Sequence, residues 1–364
     1  MADDTSSWHA GPDDSFHGKI TLNGRFAPEA NRYHLYVGYF CPFAHRAMIV
    51  YKLKQLEKYA GIEMSIMRPY PKGDENGWPG WRFNVKEEED QYEGATVDKL
   101  FGSKYLHEVY FKADKEYKGR YSVPVLWDKK LSTIVNNESH ELLRDLQTEF
   151  NPLLPRELQD ITLYPEDLRE EVDTLGQQLQ RDLNTRVYKT GNATTQEGYE
   201  ENLPIVFAML NKLEKVAAKS GGPYILGKHM TEVDVRTYAS LIRFDTVYVQ
   251  HFKCNLGMIR YSYPILHNWL KSMYWNEHAF RSTTNFRHIK ENYTKSHYHI
   301  NPLAITPVGP WPDIESGVEA DWSKLRVGGI DMPAVLEFER TQTDLLVCRV
   351  MTGEGYEKRD GSRL

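Results

Sequence analysis

The stretch Tyr33-His-Leu-Tyr-Val-Gly-Tyr-Phe40, followed directly by Cys41-Pro-Phe-Ala-His-Arg46, decides how the chain is expected to fold. The first part is an aromatic and aliphatic run typical of a buried strand. The second part leads into 47–53, where apolar residues recur at helical spacing. Pro42 suits the first turn of a helix, because the N–H that proline lacks has no partner there. The stretch therefore predicts a strand, a tight turn and a helix, with Cys41 at the helix N-terminus.

Further elements on the C-terminal side extend this unit into an α/β domain over 32–150. Three more strands and a helix are expected at 63–67, 123–128, 133–137 and 138–146. Residues 71–118 interrupt the pattern with Gly, Pro, Trp and mixed charges, which indicates an insertion loop. Pro124 would disturb a strand interior, so it is expected at a strand entry, where a cis bond is plausible. A polar arm, 1–31, precedes the domain.

The second half of the chain changes to helical periodicity and predicts an all-α domain over 165–300. Helices are expected at 166–183, 195–219 and 231–251, with more to about residue 293. Ser220-Gly-Gly-Pro223 predicts a loop between two of them. The tail, 301–364, is irregular, with short strands expected at 334–338 and 344–350.

Composition and charge exclude several classes of protein. The net charge of -6 argues against nucleic acid as a partner, which would favour an excess of Lys and Arg. No apolar run approaches the length of roughly 18 residues that a membrane helix needs. The acidic, polar N-terminus resembles neither a signal peptide nor a transit peptide, so a cytoplasmic location is expected. The three cysteines, Cys41, Cys254 and Cys348, form neither a disulfide framework nor a metal site.

Cys41 is the strongest candidate for chemistry. The free N–H groups and partial positive charge of a helix N-terminus favour thiolate over thiol, and His45 and Arg46 in the next turn could add to this. A lone cysteine is more often buried and inert, but the strand-Cys-Pro-helix context favours a reactive one. Cys-Pro-Phe-Ala lacks a second cysteine, so a mixed disulfide at Cys41 needs an external thiol to resolve it. Glutathione is the abundant cytosolic thiol. Cys254 and Cys348 are expected to be structural.

Two other positions suit a γ-glutamyl peptide. A cis-proline turn at Val123-Pro124 would leave the Val123 backbone N–H and C=O free to pair with an extended peptide. Glu138 and Ser139, at a helix start, offer N–H donors and a hydroxyl for a carboxylate, and a carboxylate for an ammonium. Either residue alone is usually only a helix cap. Cys41, Val123-Pro124 and Glu138-Ser139 in this order along the chain are a more specific indication of a glutathione site than any one of them alone.

Seven segments resemble one family, the glutathionyl-hydroquinone reductases, which are the Xi class of glutathione transferases and related to the omega class. The segments are 40–46, 80–83, 119–128, 134–139, 187–191, 243–255 and 297–302. They span roughly residues 31 to 310 in both domains. The resemblance implies a thioredoxin-like α/β N-terminal domain followed by an all-α domain, the glutathione transferase fold, and a homodimer.

The resemblance also implies an activity and a set of site residues. The Cys41 thiolate would attack the sulfur of a glutathionyl-hydroquinone, with glutathione as cosubstrate and no metal. The residues implied to contact glutathione are Trp81, Arg120, Val123, Glu138 and Ser139. Trp78 competes for the role of Trp81, because Trp78-Pro-Gly-Trp81 can be aligned in two ways.

Three tyrosines are implied to line the substrate pocket: Tyr188, Tyr248 and Tyr293. Among the 23 tyrosines of the chain, any single one is more often a packing residue. The chemistry gives these three a reason, because the departing aromatic carbon needs enolate stabilisation and then a proton, which phenols can supply. Tyr188 is the preferred proton donor.

The chain also departs from the family pattern, and alternative functions stay open. Phe43 stands where the family has Trp, bulky Tyr39 and Phe40 stand where it has small residues, and Asn292-Tyr-Thr294 stands where it has His-Tyr-Tyr. These changes leave Cys41 intact and favour the hypothesis of a specialised pocket for a quinone-like natural product. One alternative is a transferase that adds glutathione to, or removes it from, a quinone-like biosynthetic intermediate. Another is a non-catalytic binder of aromatic ligands.

Overall fold

The strand that precedes Cys41 is an inner strand of a four-stranded sheet. The structure is a computed structural model that describes residues 16–77, 80–309, 326–327 and 330–331. Strand β1 (Tyr33–Val37), buried throughout, pairs in parallel with β2 (Glu63–Ile66) and antiparallel with β3 (Val125–Asp128). Strand β4 (Thr133–Asn136) pairs antiparallel with β3. The resulting order, β2-β1-β3-β4, confirms the predicted α/β domain.

Four helices accompany the sheet: α1 (Pro42–Leu53), α2 (Leu56–Ala60), α3 (Leu106–Ala113) and α4 (Ser139–Thr148). Helix α1 begins at Cys41, as predicted, with Pro42 in its first turn. Helix α4 begins one residue later than expected, because Glu138 is its N-cap. The Val123–Pro124 bond at the entry to β3 is cis.

The prediction that 71–118 is wholly loop is wrong, because this segment contains α3. Leu106, Val109 and Tyr110 are buried at helical spacing, and Glu108 completes a capping box with Tyr105. The signal was present in the sequence, but Gly- and Lys-rich neighbours on both sides obscured it. This helix contacts β4, an edge strand of the sheet.

The second half of the described chain is helical, as predicted. Its helices are α5 (Arg156–Gln159), α6 (Arg169–Leu179), α7 (Arg186–Gly191), α8 (Gln196–Ser220), α9 (Glu232–Arg243), α10 (Ile259–Ser262), α11 (Pro264–Asn276), α12 (His278–Ser282) and α13 (Phe286–Ser296). Short 3-10 turns lie at Asn151–Leu153 and Glu166–Leu168. No helix in the described ranges is both long and apolar enough to cross a membrane.

Two of the predicted helices are not continuous. The run 166–183 is split into a 3-10 turn, α6 and a π-helical turn, Gln180–Asn184. The run 231–251 ends its α-helical part at Arg243 and continues as a second π-helical turn, Phe244–Tyr248. A π-helical turn shifts the residues after it around the helix axis and often lies at a functional site.

The two domains share α1 as a common packing element. Helix α1 contacts α4 in its own domain and α9 and α12 in the helical domain. Every residue of α9 is buried, and so are nine of the twelve residues of α1. The first turn of α1, which follows Cys41, therefore lies where the two domains meet.

The C-terminal tail is described only in part. Two short strands, β5 (Arg326–Val327) and β6 (Ile330–Asp331), pair antiparallel with each other. The strands expected at 334–338 and 344–350, and Cys348, lie outside the described residues.

Candidate active site

Cys41 is the N-cap of α1 and lies half-buried between the domains. Its sulfur accepts a hydrogen bond from the Ala44 amide at 3.5 Å, and its thiol donates to the Val123 carbonyl at 3.6 Å. The expectation that both backbone groups of Val123 are unpaired is therefore wrong for the carbonyl. That carbonyl and the sulfur instead lie in direct contact, which joins the cis-proline turn to the candidate nucleophile.

The protonation state of Cys41 is a balance of opposing effects. Burial raises the pKa of the thiol, while the Ala44 and Phe43 amides and the guanidinium groups of Arg243 and Arg46 lower it. The net direction is upward. The helix N-terminus thus acts in the predicted sense, but burial outweighs it, because a thiolate removed from water loses more solvation than two amides restore. The unliganded protein holds Cys41 as a thiol.

This balance predicts how Cys41 reacts with an alkylating agent. Because the pKa is raised, the thiolate fraction at neutral pH is smaller than that of an ordinary cysteine. We expect the rate of Cys41 alkylation by iodoacetamide, followed by peptide mass mapping from pH 6 to pH 10.5, to keep rising above the pH at which an unfolded reference peptide levels off. A plateau below about pH 8 would show that the thiol is already acidified and contradict the balance.

Arg243, the last residue of α9, is completely buried and reaches from the helical domain to the chain before Cys41. Its guanidinium donates to the carbonyls of Tyr39 at 2.9 Å and Phe40 at 3.2 Å. It also lies 3.0 Å from Nδ1 of His45. Burial and the Arg243 charge hold the pKa of His45 well below its usual range, so this histidine is neutral. His45 therefore adds no positive charge to the site, contrary to one suggestion from the sequence.

Arg46 supplies the second buried cation beside Cys41. Its guanidinium donates to the Ser139 hydroxyl at 3.3 Å and, in the helical domain, to Gln180 at 3.0 Å and Asn184 at 2.8 Å. Burial, with the nearby charge of Arg236, lowers its pKa to about 9, which still leaves it charged at neutral pH. Both polar partners from the helical domain belong to the first π-helical turn, so that turn anchors the cation.

Glu138 and Ser139 form the start of α4, as predicted. The Glu138 carboxylate accepts from the Ser139 amide at 2.9 Å, and Ser139 is buried. Burial alone would raise the pKa of Glu138, but the hydrogen bond and charge of His140, the Ser139 amide and the Arg46 charge lower it overall. The Glu138 carboxylate and the Ser139 hydroxyl therefore lie side by side, and the hydroxyl also accepts a hydrogen bond from the buried guanidinium of Arg46.

Trp81 packs beside Phe40, the residue before Cys41, and Arg120 lies near Lys72. The Trp81 ring packs against Phe40 with centroids 4.4 Å apart, and the Lys72 ammonium lies 5.3 Å from the Trp81 ring centre. Arg120 is exposed, and after burial its charge is the second cause that lowers the pKa of Lys72. Trp78, the rival candidate, lies outside the described residues. One cation, Lys72, therefore lies against the half-buried Trp81, and Arg120 is close enough to Lys72 to act on its pKa.

The three predicted tyrosines converge from three separate elements of the helical domain. Tyr188 lies on α7, Tyr248 ends the second π-helical turn, and Tyr293 lies on α13. The hydroxyl oxygens of Tyr188 and Tyr293 are 2.5 Å apart, and those of Tyr248 and Tyr293 are 3.2 Å apart. Tyr248 and Tyr293 are buried, and Tyr188 is half-buried. The phenols form one hydrogen-bonded chain in which Tyr188 is the most accessible member.

The chain of phenols faces Cys41. The Phe43 ring, in the first turn of α1, stacks on Tyr188 with centroids 6.2 Å apart. Burial raises the pKa of all three tyrosines, and the charge that Cys41 carries once it is deprotonated raises the pKa of Tyr188 and Tyr248 further. All three phenols are therefore protonated at neutral pH and can donate a proton or a hydrogen bond.

Comparison with known proteins places this geometry in a family. The family models described as glutathione S-transferase N-terminal and C-terminal domains match residues 40–149 and 196–272. Glutathione S-transferase omega-like 2 of Schizosaccharomyces pombe is 49% identical over 305 residues, which cover 83% of this chain and 93% of that protein. The solved structures that match it include Xi-class glutathione transferases. The chain belongs to the Xi class of the glutathione transferase family.

Two further relatives extend the comparison. Glutathionyl-hydroquinone reductase YqjG of Escherichia coli is 40% identical to this Xi-class enzyme over 295 residues, 81% of this chain and 84% of that protein. The crystal structure of the Saccharomyces cerevisiae Xi glutathione transferase ECM4 in complex with glutathione superposes with a TM-score of 0.76. It is 37% identical and covers 82% of this chain and 98% of that one.

The site of this Xi-class enzyme depends on two buried arginines, Arg243, which the sequence analysis missed, and Arg46, whose contacts it did not foresee. Arg243 binds the chain before Cys41, and Arg46 joins Ser139 to the first π-helical turn. Arg46 was expected only to add positive charge beside Cys41, which it does, and Arg243 was named only within a matching segment. A buried arginine looks like a surface arginine in sequence, so only the tertiary contacts reveal either role.

The departures from the family pattern fall around the site. Phe43 contacts Tyr188, and the Arg46 guanidinium lies 5.0 Å from the Phe43 ring centre. Phe40 is buried against Trp81. Thr294 is buried, and its hydroxyl lies 2.8 Å from that of Thr306, away from the three phenols.

Proposed function

We propose that this Xi-class enzyme reduces glutathionyl-hydroquinones, or similar aromatic glutathione conjugates, through a mixed disulfide between Cys41 and glutathione. The observation that carries the proposal is the placement of a single cysteine opposite three protonated, hydrogen-bonded phenols. A protein that only transferred thiols between disulfides would need the cysteine but no proton donors. The name of the Escherichia coli relative, a glutathionyl-hydroquinone reductase, supports the same reaction class.

The first step forms a sulfur–sulfur bond and breaks a carbon–sulfur bond. Cys41 first loses its thiol proton to solvent; the thiolate then attacks the glutathionyl sulfur, and the electron pair of the breaking carbon–sulfur bond stays on the aromatic carbon. That carbon takes a proton, which releases hydroquinone and leaves glutathione in a disulfide with Cys41. A second glutathione thiolate attacks the glutathionyl sulfur of this disulfide and regenerates Cys41. The sum converts one conjugate and one glutathione into one hydroquinone and one glutathione disulfide.

Residues of the α/β domain hold the glutathionyl part in this proposal. Glu138 pairs with the γ-glutamyl ammonium, and the Ser139 hydroxyl binds its carboxylate beside the Arg46 charge. The Val123 backbone pairs with the cysteinyl part, whose sulfur then lies next to Cys41. Trp81 and Arg120 bind the glycyl end. This orientation directs the aromatic part towards the helical domain.

The phenols complete the reaction on the other side of the sulfur. Tyr188 donates the proton to the aromatic carbon, because it is the accessible end of the chain of phenols. Tyr293 hydrogen-bonds to Tyr188, and Tyr248 hydrogen-bonds to Tyr293, so the pair stabilises the negative charge that develops on Tyr188 as the proton leaves. The direct test is to incubate the protein with a glutathionyl-hydroquinone and glutathione and measure products by chromatography. Equal amounts of hydroquinone and glutathione disulfide are expected, whereas an aromatic product that retains glutathione would support the addition or elimination alternative.

The substitution Tyr188→Phe separates proton donation from thiol exchange. We expect kcat for hydroquinone release to fall about 10²-fold, the scale of a lost general acid. Formation of the Cys41 mixed disulfide from oxidised glutathione should stay near the wild-type rate, because that reaction protonates no carbon. Tyr224→Phe is the matched control, since Tyr224 donates to Glu277 outside the site. Equal losses in both reactions would mean that Tyr188 only packs against Phe43.

We also propose that the protein acts in the cytoplasm and as a homodimer. A reducing compartment keeps Cys41 available for exchange, which supports the first part. The family resemblance supports the second.

A further inference from the structure

Lys72 places a positive charge where the two domains face each other. Its ammonium lies 5.3 Å from the Trp81 ring centre, and the two residues form an isolated antiparallel bridge that fixes the lysine backbone beside this ring. The charge also acts on the chain that follows α13. After burial, it is a further cause that lowers the pKa of both His297 and His299. Lys72 is therefore within reach of both domains.

The Lys72 ammonium has no anionic partner in the described part of the chain. The charged group that acts on it is a second cation, Arg120, and burial and this cation together lower the pKa of Lys72. The lysine side chain as a whole is exposed, although protein atoms crowd its ammonium end. A ligand can therefore reach an ammonium that is partly desolvated and repelled by its neighbour. An anion bound there would relieve both effects.

The wall that His297 contributes leads to the chain of phenols. The His297 ring centre lies 5.4 Å from that of Tyr293, and the ring stacks on Phe252 at 5.9 Å. Phe252 in turn contacts Tyr188, with ring centres 5.1 Å apart. Burial is the main cause that lowers the pKa of His297 to about 3, so this histidine is neutral at pH 7. Lys72 is therefore the cation on the side to which the aromatic part of the substrate is directed.

We propose that Lys72 binds an acidic substituent on the aromatic ring, so that the preferred substrate is a glutathionyl-hydroquinone whose ring carries a carboxylate. This inference rests on the proposed function, in which other groups already match both carboxylates of the glutathionyl part. The γ-glutamyl carboxylate is assigned to Ser139 beside Arg46, and the glycyl end to Arg120. Lys72 is a positive charge in excess of these two. It determines which conjugate binds, while the bond changes at sulfur stay with Cys41.

The test compares two probes that differ in one group, a glutathionyl-dihydroxybenzoate and its ring methyl ester. We expect the ratio of kcat/KM for the acid to that for the ester to fall about tenfold in Lys72→Gln, because a charge-assisted hydrogen bond is lost for the acid alone. Taking the ratio within each variant cancels the intrinsic reactivity of the two rings. Lys219→Gln, an exposed lysine at the end of α8, is the control and should keep the wild-type ratio. An unchanged ratio in Lys72→Gln would overturn the proposal, and an equal loss for both probes would assign Lys72 to the glycyl carboxylate that they share.

Binding to the Cys41→Ser protein separates this inference from the proposed reaction. Calorimetry should show that the acid binds more tightly than the ester, and Lys72→Gln in the same background should reduce this preference about tenfold. A preference for the acid without hydroquinone release by the wild type would support the role of Lys72 and contradict the proposed reaction. Hydroquinone release from both probes with no preference for the acid would support the reaction and overturn the role of Lys72.

Discussion

Replacing Cys41 with serine is expected to lower kcat/KM for hydroquinone release by about 10³-fold or more. A serine hydroxyl is a far weaker acid than a thiol, and its oxygen attacks sulfur poorly. The fold should survive, since a hydroxyl at this position can still donate to the Val123 carbonyl and accept from the Ala44 amide. Glutathione affinity and the melting temperature are therefore expected to stay close to wild type. Steady-state kinetics with a glutathionyl-hydroquinone checks the rate, and calorimetry checks the binding.

The other described cysteine provides the matched control. Cys254 is completely buried, in agreement with its predicted structural role, and burial raises the pKa of its thiol. Cys254→Ala should lose stability but keep kcat/KM per folded molecule. If Cys41→Ser kept the wild-type rate, Cys41 would not be the attacking group. If it lost the rate but kept its biological function, the protein would act as a binder rather than as the reductase proposed above.

Replacing Arg243 with glutamine is expected to lower the free energy of unfolding by about 2–4 kcal/mol, because buried carbonyls lose their donors. The carbonyls are those of Tyr39 and Phe40, directly before the nucleophile. The Cys41 pKa should rise further, since the Arg243 charge is one of the groups that lower it. Chemical denaturation measures the first effect, and the pH profile of Cys41 alkylation measures the second.

Arg243→Lys distinguishes charge from geometry. Lysine keeps the charge but cannot bind two carbonyls with one planar group. We expect the alkylation profile to return towards wild type while the stability stays reduced. Arg156→Gln is the control for a surface arginine, because the Arg156 side chain is 81% exposed. An Arg243→Gln protein with wild-type stability and an unchanged profile would show that Arg243 does not position Cys41.

The parts of this enzyme that the sequence predicts well are those specified by local chemistry. The strand before Cys41, the proline in the first turn of α1 and the helix cap at Glu138 each depend on a few neighbouring residues. The four-stranded topology follows from the order of such local elements. The positions of Val123, at a strand entry, and of Glu138 and Ser139, at a helix start, could be reasoned from the same local signals.

The parts that could not be predicted depend on contacts between distant segments. Tyr188, Tyr248 and Tyr293 were reached through family resemblance, because nothing local distinguishes them among the other tyrosines of the chain. The spacing of apolar residues does not reveal the two π-helical turns. Yet one of them holds the Arg46 guanidinium, and the other ends at Tyr248. The direction of the Cys41 pKa shift is another such case, because helix position alone predicts the opposite of what burial produces.

The most direct measurement is the intact mass of the wild-type protein after incubation with a glutathionyl-hydroquinone in the absence of free glutathione. We expect a mass increase of about 305 Da, the size of one glutathione in disulfide linkage, with one equivalent of hydroquinone released. Peptide mapping should place the adduct on Cys41 and not on Cys254, and glutathione should remove it. Hydroquinone release without an adduct, or an adduct at another cysteine, would contradict the assignment of Cys41 as the attacking thiolate.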